Sequence, residues 1–393
     1  MKSENNSMNK KHLLFLWPGP CFMNPISKDE YKMGFFSAHF HGTIIGFARP
    51  QFMRLTKIGE FDFYPLRYHS TSLIRAIFSW FIIPKALYLF YVRNVRFDVI
   101  ISPNPLATAI AAYLIGRLTK AKIVVEINGN FESAFKFGAK GRIKPSFPDR
   151  MKDKVAQRML RFSIFRADMV KLVYSRQLAP LNIPNARKLR TTSFPNFVPI
   201  RHFLEAPKSD EKYILLMGYP WYLKGVDILI KAFNLISPDF EEYRLKIVGW
   251  NPEGKTYYEN LKSGNSSIEL LDPVYYDGVI NYMTNCSLYV LASRTDSSPR
   301  VLREAMASQK PIIASNIDGV PELIKDGYNG LLFEKENVQD LAQKIRLVLS
   351  NKGLSERLAR NGCDYVQQFL SEECYIERYV ALVNDLFVKE QHA

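Results

Sequence analysis

A repeated grammar constrains this chain more than any other feature: an apolar run, a loop rich in Gly, Ser, Asn or Pro, an amphipathic segment, then another apolar run. The clearest unit is FDVIISPNPLATAIAAYLIGRLTKAKIVVEINGN at 97–130. Residues 99–102 read as a strand, 105–118 as a helix begun by a proline, and 123–127 as a second strand. Two parallel strands joined by a crossover helix form a right-handed unit, and ligands collect beyond the carboxyl ends of its strands, here 102–104 and 128–130. The second half repeats the grammar in YILLMGYPWYLKGVDILIKAF, in YRLKIVGWNPEG, and in a long segment that begins CSLYVLASRT. The pattern predicts two α/β sheets covered by helices.

A length of 393 residues exceeds one ordinary core and fits two domains of roughly 150 to 200 residues each. Between the sheets, FPNFVPIRHFLEAPKSDE holds three prolines and little periodicity, so a linker is expected at 195–210. The domains are then 1–200 and 208–372, and the apolar helical spacing of the closing segment, 373–393, suggests a helix returning to the first domain. The composition, 47% hydrophobic and 23% charged, is that of a globular protein. Cys21, Cys286, Cys363 and Cys374 are widely spread and form no C-x-x-C pair, which suggests neither a disulfide framework nor a zinc cluster and favours a reducing cytoplasm. The apolar run 13–17 is too short for a signal-peptide core and reads as a first buried strand.

The segment 293–311, SRTDS and then SPRVLREAMASQKP, carries the chemistry. Ser298 followed by Pro299 is a good helix start, a hydroxyl N-cap and then a residue whose missing N–H is no loss at the first helical position. The helix N-terminus offers unpaired N–H groups and partial positive charge to an anion. Asp296 lies on the loop beyond that anion site, and Glu304 lies about 7 Å into the helix, its side chain leaning back toward the start. Two carboxylates flanking an anion site match a ligand with hydroxyls on both sides of a diphosphate, the layout of a nucleotide-sugar. The alternative is a solvated helix start with Arg300 and Glu304 paired at i,i+4. Lys224 follows a buried strand that ends at Gly218, and it begins the next helix, where a lysine is mildly disfavoured by the helix dipole but can meet a diphosphate as a point charge. In NIDGVPELI, the Gly319 and Val320 amides are expected beside the same crevice.

Taken together, GYPWYLKGVDILIKAF, LKIVGWNPEG, the run SPRVLREAMASQKPIIASNIDGVPELIKDGYNGLLF with Asp296 and Ser297 before it, and the upstream FPNFV resemble the successive signatures of glycosyltransferase family 4, retaining enzymes with the GT-B fold of two Rossmann-like domains facing a central cleft. The resemblance runs from about 13 to 388 and is strongest over 213–333. It implies that the family's E-x7-E motif falls on Asp296 and Glu304, with Asp296 on the donor-sugar hydroxyls and Glu304 on the ribose. Lys224 falls on the diphosphate lysine. Gly218, Tyr219, Gly249, Ser297, Ser298, Pro299, Arg300 and Val301 complete the implied donor site, and Gly19, Asn128 and Gly129 the acceptor side. The chain departs from the pattern where Asp296 stands for the usual Glu, Tyr219 for an Arg and Asn128 for a His, and WPGPCFMNP lacks the usual paired glycines. No D-x-D occurs, so no cofactor and no divalent metal are expected.

Residues 1–206 hold 32 Lys and Arg against 12 Asp and Glu, a balance of +20, whereas the remainder holds 21 against 26, a balance of −5. The first half therefore expects an anionic partner. Nucleic acid is disfavoured, since no zinc finger, RNP-like or clear helix-turn-helix signature is present. The stretch SLIRAIFSWFIIPKALYLFYVRNVRF reads either as a core helix or as a helix lying on a membrane, and it is too interrupted at Pro84 and Lys85 to span one. The run 136–166 adds ten basic residues against two acids, interleaved with Phe, which fits anionic lipid headgroups. In this family the first domain binds acceptor. The expected acceptor is thus a saccharide, polyprenyl-diphosphate-linked, met at the cytoplasmic face of the membrane in surface polysaccharide assembly. A nucleotide-sugar epimerase and a non-catalytic nucleotide-sugar-binding protein are the competing readings.

Overall fold

The structure, a computed structural model, describes residues 10–21, 28–67, 79–130, 147–183, 188–251 and 254–388. Among these, one compact unit gathers the residues within 1–128, 147–197 and 375–393, and a second gathers those within 129–146 and 198–374.

The first unit is built on β1 (His12–Cys21), β2 (His41–Ala48), β3 (Lys57–Ile58), β4 (Phe61–Arg67), β5 (Val99–Ser102), β6 (Lys122–Ile127), β7 (Met169–Leu172) and β8 (Thr191–Ser193). They lie in the order β3-β4-β2-β1-β5-β6-β7-β8. Every neighbouring pair is parallel except the β3–β4 hairpin. Side chains alternate across a strand, so each strand feeds two layers. Leu13, Phe15, Val99, Ile101 and Val124 enter one core, and Leu14, Leu16, Ile100, Ile123 and Val125 the other. With both faces buried, the strands must read as continuous apolar runs, which is how they appear in the sequence.

The second unit repeats the design with β9 (Glu211–Met217), β10 (Arg244–Val248), β11 (Ile268–Leu271), β12 (Cys286–Leu291), β13 (Ile312–Ser315) and β14 (Leu331–Phe333). Their order is β11-β10-β9-β12-β13-β14, all parallel. Ile214, Leu216, Leu245 and Ile247 face one helical layer, and Tyr213, Leu215, Met217 and Val248 the other.

Three local expectations are corrected. The crossover helix begins at Ala107, not at Pro105. Asn104 Oδ1 accepts from the Leu106 N–H at 2.8 Å and Ser102 Oγ donates to Thr108 Oγ1 at 2.8 Å, so a polar turn occupies the two residues before the helix. The expected linker at 195–210 is not a free tether. Val198, Ile200 and Phe203 are buried in the second unit, and Arg201–Glu205 forms a short helix. Pro195 and Pro199 break the periodicity without preventing burial of the apolar residues around them. The first strand extends past residue 17 to Cys21.

The closing helix, Glu372–Asp385, puts Tyr375, Ile376, Tyr379, Leu382 and Val383 into the core of the first unit. Tyr379 packs edge-on against Phe36 at 4.8 Å between ring centres.

Candidate active site

In the second sheet the chain runs outward from β9 to β10 and β11, then returns to add β12, β13 and β14 on the other side. A crevice opens beyond the carboxyl ends of the strands where the direction reverses. Here it is a cavity of about 580 Å³ between the ends of β9, β10 and β12. Of the eleven residues that the sequence assigns to a donor site, all but Ser297 line this cavity.

Glycines let the chain turn there. A Cβ on Gly249 would lie 2.1 Å from the Gly218 carbonyl oxygen, so no other residue fits at the end of β10 without moving β9. Gly225 has φ +66°, and a Cβ there would lie 1.9 Å from the Ala292 carbonyl oxygen. Gly225 is the N-cap of the helix Val226–Ile236, so Lys224 sits two residues before the helix rather than at its start. Its ammonium donates to Asp296 Oδ2 at 2.6 Å, with the two side chains 22% and 16% exposed.

The loop carrying Asp296 is braced from below. Arg294 forms a bidentate pair with Asp227 at 2.8 Å for each bond, donates to the Tyr222 carbonyl, and reaches Glu336 Oε1 at 2.8 Å. Burial would pull the Arg294 pKa down, but the Asp227 and Glu336 carboxylates more than offset it and hold the guanidinium charged. Sequence reasoning missed this residue: its partners lie 67 and 42 positions away.

The helix after the loop is Arg300–Ala307, with Pro299, not Ser298, in the N-cap position at ψ 116°. Ser298 Oγ instead accepts from Arg303 at 3.3 Å, so no side chain caps this end and its backbone N–H groups are not taken by a hydroxyl. The i,i+4 pair forms, Arg300 to Glu304 Oε1 at 3.1 Å, yet Glu304 is only 3% exposed. A solvated helix face is thereby ruled out for Glu304. Arg300 lines the cavity, and its Nε is buried without a hydrogen-bond partner.

Gly319 and Val320 do not line the cavity, contrary to expectation, and Val320 is fully buried at the start of the helix Val320–Leu323. Trp250, Pro273, Val274, Tyr276 and Val279 do line it, and sequence reasoning did not single them out. Tyr219 and Trp250 are exposed, with ring centres 6.2 Å apart. An aromatic beside the Gly249 turn was the available signal for Trp250.

In the first unit Asn128 follows β6, its amide donating to the Pro103 carbonyl at 3.0 Å and to Glu126 Oε2 at 3.2 Å. Its Oδ1 is buried without a hydrogen-bond partner. The carboxyl ends of β5 and β6 thus meet as the sequence expects. Gly19 lies within β1, and Gly129 groups with the second unit. Among the described residues no cluster of three His, Cys, Asp or Glu could hold a metal ion.

Solved structures share this architecture over almost the whole chain. A structure of Anabaena HepE in complex with UDP superposes with a TM-score of 0.71 at 16% identity, covering 95% of this chain and 100% of that one. TarM superposes with a TM-score of 0.69 at 13% identity, covering 97% and 100%. The fold is GT-B. Within this GT-B chain, residues 200–364 match the family profile described as Glycosyl transferases group 1, a range that falls on the unit holding the cavity. An uncharacterized glycosyltransferase of Methanocaldococcus jannaschii is 38% identical over 171 residues, 42% of this chain and 46% of that protein. The N,N'-diacetylbacillosaminyl-diphospho-undecaprenol alpha-1,3-N-acetylgalactosaminyltransferase of Campylobacter jejuni is 32% identical over 180 residues, 44% and 45% of the two chains. The chain spans less than half the length of these two curated relatives.

Proposed function

We propose that this protein is a retaining glycosyltransferase that moves a hexose-type sugar from a nucleotide-diphosphate donor to a saccharide acceptor. The observation that carries the reading is the cavity wall: two cations, Lys224 and Arg300, and two acids, Asp296 on a loop and Glu304 on a helix, line one space at the switch point of a parallel sheet. Cations and free helix N–H groups suit the diphosphate, and the acids suit hydroxyls on either side of it. In the reaction the C1–O bond to the β-phosphate breaks and the acceptor oxygen bonds C1 from the same face. The acceptor proton passes to the departing phosphate oxygen. Lys224, Arg300 and the helix start stabilise the leaving charge, and no divalent metal takes part; activity that vanished with EDTA and returned with manganese would sink that point.

Thermal-shift screening against UDP-, GDP- and ADP-glucose tests the reading, since a ligand that binds the folded state raises its melting temperature. A rise with one nucleotide, lost in Lys224→Ala, is expected; no rise with any nucleotide-sugar overturns it. A second reading, a binder without turnover, draws on the 2.6 Å pair that engages the short Asp296 with Lys224. Slow hydrolysis of the bound nucleotide-sugar that disappears in Asp296→Ala decides for the enzyme.

The acceptor we propose is polyprenyl-diphosphate-linked, in surface polysaccharide synthesis, with the protein peripheral on the cytoplasmic face of the membrane. The helix Ile82–Tyr91 buries Ile82, Ala86, Leu89 and Phe90 but leaves Trp80, Phe81, Tyr88, Tyr91 and Val92 exposed nearby. On the helix Phe147–Ile164, Met151 and Val155 are exposed beside Lys152, Lys154 and Arg158. The part of the basic run at 136–146 lies outside the described residues. Among the described residues no helix is long and apolar enough to cross a membrane. Each basic residue near an anionic surface adds about 1 kcal/mol, so flotation with phosphatidylglycerol vesicles at low salt, lost at high salt, is expected. No flotation at low salt would remove the membrane from the proposal.

A further inference from the structure

Asp318 follows β13 with φ +43°, in the left-handed region that a non-glycine residue occupies at some cost in strain. One oxygen of its carboxylate, Oδ2, gathers three donors: the backbone N–H of Asp296 at 2.9 Å, the Thr295 hydroxyl at 2.7 Å and the Asn130 amide at 2.7 Å. Asn130 also donates to Thr295 Oγ1 at 3.1 Å, and all four residues belong to the second unit. A strained backbone that aims one oxygen at three donors marks a position held for a purpose.

The purpose follows from Asp296. It is one methylene shorter than a glutamate, about 1.5 Å less reach, so the position of its carboxylate depends on where the backbone is held. Its side chain is tied to Lys224 and its backbone N–H to Asp318. A bound diphosphate competes for Lys224, and the Asp318 contact is then the one that persists.

We propose that Asp318 is the positioning residue for Asp296: it fixes the 295–296 backbone so that the short acid stays at the cavity wall when Lys224 turns to the diphosphate. This rests on the reading of the cavity as a nucleotide-sugar site. Asp318 touches no reacting atom and acts through the loop alone.

Two substitutions separate positioning from folding. Asp318→Gly removes the carboxylate and its three hydrogen bonds while relieving the left-handed strain, so a merely structural account predicts a shift in melting temperature with kcat unchanged. The expected result is a modestly lowered melting temperature, unchanged binding of UDP, GDP or ADP, and a kcat for nucleotide-sugar hydrolysis lowered about 10- to 100-fold with little change in KM. Asp318→Asn keeps an acceptor oxygen and tolerates the same backbone, so it should restore most of that loss. Hydrogen exchange at the Asp296 amide should quicken in Asp318→Gly and not in Asp318→Asn. An Asp318→Gly variant with wild-type kcat and a protected Asp296 amide overturns the proposal, while loss of hydrolysis in Asp296→Ala shows the cavity reading still standing. Wild-type protein that neither binds nor hydrolyses any of the three nucleotide-glucoses overturns the cavity reading, and the proposal with it.

Discussion

Lys224 shows how far a single residue can be read. A lysine just before a helix start is disfavoured by the dipole unless an anion is near, and the structure supplies one in Asp296 at 2.6 Å. Replacing Lys224 with Ala should lower nucleotide-sugar turnover by about 10² to 10³, the usual loss on removing one preorganised charge stabiliser; steady-state hydrolysis checks it, and a loss below about fivefold would contradict the assignment. Arg294 was not legible in the same way. In its local sequence, SRTDS, it looks like an ordinary surface cation, because the carboxylate that defines it lies 67 residues away and only the fold brings them together. Both side chains of that pair are buried, 8% and 10% exposed. Arg294→Met leaves Asp227 buried and uncompensated, so a loss of roughly 3–5 kcal/mol is expected from urea unfolding. The Asp296 loop should lose its order along with it, because the Arg294 guanidinium also donates to the Tyr222 carbonyl, two residues before Lys224.

Elements were legible where one local rule decided them. Strands buried on both faces announce themselves as apolar runs, and glycine ends β9 and β10 at Gly218 and Gly249. Boundaries failed where a side-chain bond chose between two adjacent residues. Ser298 and Pro299 read as N-cap and first helical residue, but the Ser298 hydroxyl is taken by Arg303, and the helix starts one residue later. Likewise Val198, Ile200 and Phe203 read as linker because prolines hide their common buried side. Gly225 carries the most testable element-scale consequence. It turns the chain between Lys224 and the helix Val226–Ile236 with φ +66°, and the Ala292 carbonyl oxygen occupies the place of a side chain. Gly225→Ala must displace either the helix or the end of β12. It should lose more than about 2 kcal/mol of stability, from the unfavourable φ and the overpacking together, together with nucleotide binding. Melting temperatures with and without nucleotide separate the two losses, and an alanine variant as stable as wild type would mean the close approach is not rigid.

At the scale of the whole molecule the chain leaves the first unit after Phe197 and returns to it at Tyr375. What receives the returning helix is a buried charge. Glu126 is 4% exposed; its Oε1 accepts from the Tyr379 hydroxyl at 2.9 Å and its Oε2 from Asn128 at 3.2 Å. Burial pushes the Glu126 carboxyl up, but Lys171, Lys32 and the two hydrogen bonds more than offset this and hold it below the ordinary carboxylate value. A carboxyl depressed in the fold contributes stability that is fully present above the unfolded pKa and is lost as pH falls through the folded one. Glu126→Gln removes that contribution and leaves Lys171, itself fully buried, without its neighbouring carboxylate. At neutral pH the variant should be less stable by about 2 to 3 kcal/mol, the scale for hydrogen bonds made to a charged group. The gap to wild type should then narrow as pH falls below about 4.5. Tyr379→Phe should act in the same direction but less, about 1.5 kcal/mol for one hydrogen bond to a charged group, and its loss of stability in acid should be smaller than that of wild type and complete at a higher pH, because the folded Glu126 carboxyl moves back toward its ordinary value. Urea midpoints for the three proteins across about pH 3 to 8 give the curves. A gap between wild type and Glu126→Gln that stays constant through that range would mean that the Glu126 carboxyl titrates alike in the folded and unfolded states, so that its charge does not help to hold the returning helix.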